Sequence, residues 1–375
     1  MKFIRDTKSV TAEDLAPVTD IDLKALAEVQ DDMDTVLSVY TTINKRDISF
    51  VNSRLKLISK ALPENLQKSF EGTLALAESS LSAQPVKGEK GRAIFASASQ
   101  ALLQTYRLGL EIEPLVVWDR SPFLLPLARL SNEYADYWLL LVDSREARLF
   151  LVRSNAIVEK GKASIDLMNK HKKGGWSQMR FNRLRKGTIK SFLKEIVDDL
   201  QGLVGPAMIK GLVVAGPGDA KNQLIQMLPP SLNNKLLGTL DLSISTLPSE
   251  LVKLGDDVTQ QDNSEKAAAA ELKAAILKGM PAAYGFEEVR MALEQGRVKT
   301  LVLNNFEIPG MVCQSCRLIP EIQQSSCPSC GGHMSKENIA EQFYELAQRT
   351  GAEVALVEDD AFLESIGGMG AMLRY

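Results

Sequence analysis

Apolar and polar positions change period several times along the chain, and those changes set out its elements. Residues 35–43, TVLSVYTTI, are dense in β-branched side chains and predict a strand. Residues 51–83 follow with helical spacing, interrupted at Pro63. GRAIFAS (91–97) and PLVVWD (114–119) predict two more strands, so the first segment is a small α/β domain. SPFLLPLARLSNEY (121–134) is read as a proline-bounded connection to the next segment. In DYWLLLVDSREARLFLVRSNAIVEK two apolar runs flank a polar SREAR, as in a β-hairpin. A long helix is predicted over 177–203, its apolar face carried by Phe181, Leu184, Ile189, Phe192, Leu193, Ile196 and Val197. GLVVAGPGDAKNQLIQMLP reads strand, glycine turn, helix. Residues 256–279 read as helical and alanine-rich, the polar start at 256–264 being either a hinge or an N-terminal cap. Beyond Met280 a helix and a buried strand are interrupted by four cysteines, after which a helix and a strand recur and GGMGAMLRY follows.

A length of 375 residues exceeds one ordinary core and predicts two or three domains. The expected division is 1–132, 133–275 and 276–375. No internal repeat or low-complexity tract is found. The balance of 45% hydrophobic and 24% charged residues is that of a globular chain. The net charge of −3 argues against a general nucleic-acid binder. MKFIRDTKSVTAEDLAPVTD has no apolar centre, so a signal peptide is not expected, and no apolar run is long enough to predict a membrane span. A cytoplasmic location is the expectation.

The cysteines are spaced Cys313-x2-Cys316-x10-Cys327-x2-Cys330, and the chain has no others. Two CxxC knuckles allow four thiolates to meet one ion tetrahedrally, and zinc suits an all-sulfur set without redox chemistry. All four positions would be filled, which makes the site structural. Pro328, Gly331 and Gly332 suit tight turns. His333 is read as a solvated turn residue, a spare ligand being the alternative.

The second signal is an exception to the acidic average. From Lys170 to Lys190 there are eight lysines or arginines and no acid. Lys170, His171, Lys172 and Lys173 lead into Gly174 and Gly175, which allow close backbone approach to a ligand. Trp176, Ser177 and Gln178 follow, and Trp176 can stack on a base or sugar. Arg180, Arg183 and Lys186 share a helical face and can meet phosphates. The competing account is a solvated basic face; the glycines, the tryptophan and the absence of acids favour RNA. Asp143 after LLLV is read as a strand-end turn, and Gly216-Pro217-Gly218 as a helix-entry turn, because neither phosphate-loop nor dinucleotide fingerprints are complete. Two histidines leave little for a histidine-dependent hydrolase.

KHKKGGWSQMRFNRLR resembles the Gly-Gly loop and helix of archaeal and eukaryotic class-1 release factors, a superfamily that includes Pelota. PAAYGFEEVRMALEQGRVKTLVL and GAEVALVEDDAFLESIGGMGAMLRY are similar to the opening and closing parts of that family's third domain, and the double CxxC to its archaeal zinc insertion. Within the superfamily the chain is similar to the bacterial branch with Gly-Gly-Trp-Ser-Gln, which includes the ribosome hibernation factor Balon. The resemblance implies an α/β, three-domain release-factor-like architecture with an RNase-H-like middle domain and a zinc ribbon in the C-terminal domain. It implies a ribosome-binding protein that is a monomer off the ribosome. It would act under stress, occupying the A site against 16S and 23S rRNA, with EF-Tu or a related translational GTPase met by the third domain. Two departures matter. Trp176 stands where the family has its release glutamine, and an indole only donates, through one N–H. The first domain has no Asn-Ile-Lys-Ser stop-codon motif. The expectation is therefore a binding factor without a catalytic residue; the rival is a peptidyl-tRNA hydrolase or tRNA-cleaving enzyme using Gln178.

Overall fold

The computed structural model describes residues 15–134, 136–154, 156–167, 176–203, 209–260, 264–304, 308–316, 318–320 and 325–375. They divide into two compact units, 1–19 with 133–262 and 20–132 with 263–375.

The first domain runs α1 (Leu23–Ala27), β1 (Val36–Thr42), α2 (Lys45–Ala61), α3 (Glu64–Leu81), β2 (Gly91–Ser97), β3 (Leu102–Leu108), β4 (Leu115–Asp119) and α4 (Leu125–Glu133). Its sheet has the order β3-β2-β1-β4, antiparallel throughout. Leu37, Val39, Ile94 and Ala96 meet Val51, Leu55 and Phe70 of the two helices in one core. Asn44 caps α2 by accepting the Asp47 N–H at 2.8 Å. The expected connection at 121–134 is instead largely the helix α4; Pro126 is its second residue, where a missing N–H costs no intrahelical bond. The expected boundary at residue 1 also moves, because Val18 N–H donates to Ser154 Oγ at 2.9 Å and Thr19 Oγ1 to Asp136 at 2.8 Å, which places this segment with the middle domain.

The middle domain contains β5 (Tyr137–Val142), β6 (Glu146–Arg153), β7 (Ala156–Ser164), α5 (Trp176–Leu203), β8 (Gly211–Ala215), α6 (Asp219–Met227), α7 (Pro230–Asn233), β9 (Leu236–Leu240) and α8 (Pro248–Gln260). The sheet order is β7-β6-β5-β8-β9, with β5, β6 and β7 antiparallel and β5, β8 and β9 parallel, an RNase-H-like arrangement. All six residues of β5 are buried because both faces are covered. Trp138, Leu140 and Val142 pack with α5 and α6 residues. Tyr137, Leu139 and Leu141 pack with Leu251 and Val252 of α8. Asp143 accepts the N–H groups of Arg145 and Glu146, both at 2.7 Å, as the strand-end turn reading requires. Gly216 leads into α6 at a point where an added Cβ would lie 1.8 Å from Val142 O, so the turn admits no side chain.

The third domain holds α9 (Ser264–Leu277), β10 (Ala282–Tyr284), α10 (Phe286–Glu294), β11 (Val298–Asn304), β12 (Pro309–Cys313), β13 (Met334–Asn338), α11 (Ala340–Thr350), β14 (Glu353–Val357), α12 (Ala361–Ser365) and β15 (Met369–Leu373). Its main sheet has the order β10-β15-β11-β14, and β12-β13 form a separate ribbon. Within the helical stretch 256–279, residues 256–260 end α8 and residues 264–277 are α9. Ala269 and Leu272 of α9 pack with Val302, Val357 and Leu363, so the expected boundary at 275/276 moves back to about 263.

The first and third domains form one unit through α11. The buried Glu341 carboxyl group accepts the N–H groups of Leu124 and Leu125, at 2.5 and 2.9 Å, and thereby caps the start of α4. One turn on, Glu345 accepts from Gln30 Nε2 at 2.6 Å and Ser121 Oγ at 3.1 Å. Burial pushes the Glu341 carboxyl up to about 8; the two N–H donors oppose this, and the charges of Glu345 and Asp119 add to it.

Candidate RNA interface and metal centre

The RNA-facing candidate is α5. Its 28 residues make a rod about 42 Å long at about 1.5 Å per residue. The C-terminal half is anchored: Phe192, Leu193, Ile196, Val197 and Leu200 are all in the core, each contributing roughly 1.5–3 kcal/mol. The N-terminal half is not. From Met179 to Ser191 no described side chain is buried. Leu184, expected on the apolar face, is 53% exposed, because the core ends one turn short of it. Ile189 is partly buried as expected.

Arg180, Arg183, Lys186, Lys190 and Lys194 are exposed and follow one another at three- and four-residue steps, which puts them on one face. Among the described residues none of these five is in an ion pair, whereas Lys162, on β7, meets Glu146 at 2.8 Å. The first acid on the helix is Glu195. The sequence reading named Arg180, Arg183 and Lys186; the continuation through Lys190 and Lys194 was legible in the same spacing. Trp176, Ser177 and Gln178 form the first turn of the helix backbone. Lys170, His171, Lys172, Lys173, Gly174 and Gly175 lie outside the described residues.

The metal centre is built on the β12-β13 ribbon. Cys313 ends β12 and is buried with Cys327, while Cys316 and Cys330 are exposed. All four Sγ atoms lie within 4.8 Å of one another. Cys313–Cys330, Cys316–Cys327 and Cys316–Cys330 are each 3.5 Å apart. A zinc–sulfur bond of about 2.3 Å in a tetrahedron gives sulfur pairs about 3.8 Å apart, so the donor set fits. Backbone N–H groups, that of Cys316 foremost, hold the Cys313 thiol down to about 6; the N–H of Cys330 foremost lowers Cys327. Both favour the thiolate form a metal needs, whereas the neighbouring thiols and burial, against the N–H of Leu318, push Cys316 up to about 12, so the bare cluster does not carry four thiolates by itself. Gly332 packs closely here: a Cβ would stand 2.6 Å from Ser315 Oγ and 3.1 Å from Cys313 Sγ, so a side chain would have to displace the Ser315 hydroxyl and crowd the ligand sulfur. His333 is exposed, outside the ligand cluster, and bonded through its backbone to Gln314. Four cysteines positioned to hold one metal ion are thus brought together.

A β7-β6-β5-β8-β9 middle sheet that carries a cationic helix, and a third domain that carries a four-cysteine ribbon, are features of a release-factor-like protein. Residues 122–256 match the family described as bacterial archaeo-eukaryotic release factor family 10, and residues 263–375 match eRF1 domain 3. The chain is 27% identical over 301 residues to peptide chain release factor subunit 1 of Thermococcus onnurineus, covering 70% of this chain and 72% of the relative. It is 28% identical over 366 residues to the Methanocaldococcus jannaschii protein of that name, with 84% and 85% covered. Among solved structures it is similar to Archaeoglobus fulgidus Pelota at 15% identity and TM-score 0.37, covering 100% of this chain and 99% of that one. Its middle and third domains are thus similar to the bacterial archaeo-eukaryotic release factors and to eRF1 domain 3, respectively. Among the described residues no helix is long and apolar enough to cross a membrane.

Proposed function

We propose that this chain is a ribosome hibernation factor that occupies the A site independently of mRNA, with α5 directed toward the peptidyl-transferase centre. The observation that carries the reading is the uncovered N-terminal half of α5. A helix that leaves three turns outside its core, with cations on one face and no acid before Glu195, is suited to a polyanion. In sequence, residues 170–175 before it add further cations and two glycines where the family approaches the ester of peptidyl-tRNA. Trp176 replaces the residue that positions water there, which favours binding over cleavage. The four cysteines would hold a structural zinc that fixes the ribbon, and the third domain would meet a translational GTPase of the EF-Tu kind.

The rival is hydrolysis through Gln178, two residues beyond the family position. One experiment separates them: ribosome pelleting paired with single-turnover hydrolysis of peptidyl-tRNA. The expected result is co-sedimentation with sense, stop or vacant A-site codons alike, and no peptide release. Release by the unmodified protein that Gln178→Ala abolishes while binding survives would replace this reading with the rival. Failure to sediment with ribosomes would refute both.

A further inference from the structure

Helix α11 meets the first domain through acids. Glu341 and Glu345 stand one turn apart on one face and are 7% and 6% exposed. Glu341 accepts the N–H groups of Leu124 and Leu125, and Glu345 accepts from the side chains of Gln30 and Ser121. Residues 121–125 are thus held on one side by the third domain. On the other they are held by the first domain's own sheet: Tyr40 Oη donates to Phe123 O, and Phe123 N–H donates to Ser38 Oγ at 3.0 Å. Helix α1 also packs on α11. Together these contacts close the first domain onto the third.

Carboxyl groups are costly material for such a seam. An ionised carboxyl offers about four acceptor sites, and the two N–H groups fill only part of that capacity on Glu341. Buried and incompletely paired, the charged form is penalised. The groups facing Glu341 add to the penalty. They are Tyr40 on β1, Asp119 at the end of β4, and Tyr344 and Glu345 on α11 itself: two phenols and two acids, with no cation among the described residues. Asp34 and Glu337 line the adjoining cleft and are acids too. Glu345 differs, because the Arg349 charge and the donors Gln30 and Ser121 favour its ionised form against burial and Asp119. On its side the cleft is lined by both signs, Arg120 and Arg290 with Asp31 and Glu294. Glu341 is therefore the member of the pair whose proton matters to the seam.

We propose that the α11 carboxyl pair is a proton-operated latch: with its proton, Glu341 seats the first domain on the third, and without it the seam at residues 121–125 opens. The closed seam keeps the proton up to about pH 8, whereas in an open, wetted seam the carboxyl returns toward the ordinary 4.5. Opening is then insensitive to pH below about 4.5, becomes about tenfold more favourable for each pH unit up to 8, and levels off above it. Acidification closes the latch and mild alkali releases it. The latch does not depend on the hibernation reading, since it is a property of the first and third domains alone.

The test is hydrogen–deuterium exchange of the full chain, read by mass spectrometry between about pH 5.5 and 8.5 and corrected for the intrinsic pH dependence of amide exchange. In peptides covering residues 119–133 the opening constant should rise about tenfold per pH unit until about pH 8 and then level off. Peptides covering residues 192–200, in the core of the middle domain, should not follow that rise. Glu341→Gln, which does not titrate, should take away most of it. Glu345→Gln removes a like charge beside Glu341 and should move the upper limit to lower pH. Corrected exchange of residues 119–133 that is independent of pH in the unmodified protein would overturn the proposal, as would the same rise kept in folded Glu341→Gln. So would a rise shared by residues 192–200, which would mean unfolding of the whole chain and not an opening at the seam. If Glu341→Gln does not fold, Glu345→Gln decides: a lowered limit supports the latch and an unmoved one overturns it.

Discussion

Replacing Arg180 and Arg183 together by alanine removes two exposed cations from the uncovered half of α5 and touches no buried residue. Both positions are solvent-facing and outside any ion pair among the described residues, so stability should move by no more than about 0.5 kcal/mol. Their contribution to binding follows from counterion release. Taking the duplex-DNA value of about 0.9 per neutralised phosphate for the slope of log affinity against log salt, the variant's slope should be shallower by about 1.8. Between 50 and 200 mM salt, a fourfold change, that difference makes the variant's relative defect about 12-fold larger at the low-salt end. The assay is ribosome co-sedimentation over that salt range, with Lys253→Ala as a control on α8. A defect equal at all salt concentrations would mean that the arginines act through packing or hydrogen bonds, not through phosphates. No defect at all would refute an RNA-facing α5 and leave its bare half unexplained.

Purified under reducing conditions, the protein should carry about one zinc per chain by mass spectrometric metal analysis, and Cys316→Ser should abolish it and expose the third domain to limited proteolysis; a full-length wild-type protein without metal would refute the ribbon assignment. Glu341 should make the protein more stable in acid than in mild alkali. Its folded carboxyl, near 8, lies above the unfolded value of 4.5, so its contribution is complete below about pH 4.5 and is lost as pH rises through 8. At about 1.4 kcal/mol per pH unit the effect is on the order of several kcal/mol, and thermal midpoints of Glu341→Gln between pH 5 and 8.5 should be flatter than wild type; parallel profiles would refute it. Leu272→Ala, at a fully buried position of α9, should cost about 2–5 kcal/mol and loosen the third domain, not the middle one, in hydrogen exchange.

Helix α5, strands β1, β2, β4, β5 and β6, the Gly216 turn and the cysteine ribbon were all legible in the chain, because each depends on local period or local spacing. The four cysteines needed no fold to be recognised: two knuckles of fixed geometry specify their own meeting point. The elements that escaped are those whose identity depends on neighbours. Strands β3 and β9 lie at sheet edges, where one covered side leaves QTYR and LLGTL too mixed for a clear alternation. The allegiance of α9 was decided by where Leu272 packs, which an alanine-rich helix does not announce. Leu184 has a helical apolar spacing, yet only the position of the sheet determines that the core stops before it reaches that turn. Glu341 and Glu345 show the limit most plainly. In AEQFYELAQRT two glutamates four residues apart look like the wet face of an amphipathic helix. The sequence determined that α11 forms; only the tertiary structure decided that its acids are buried, because the N–H groups of Leu124 and Leu125, more than 200 positions earlier, are presented to a carboxylate that no local pattern could have paired with them.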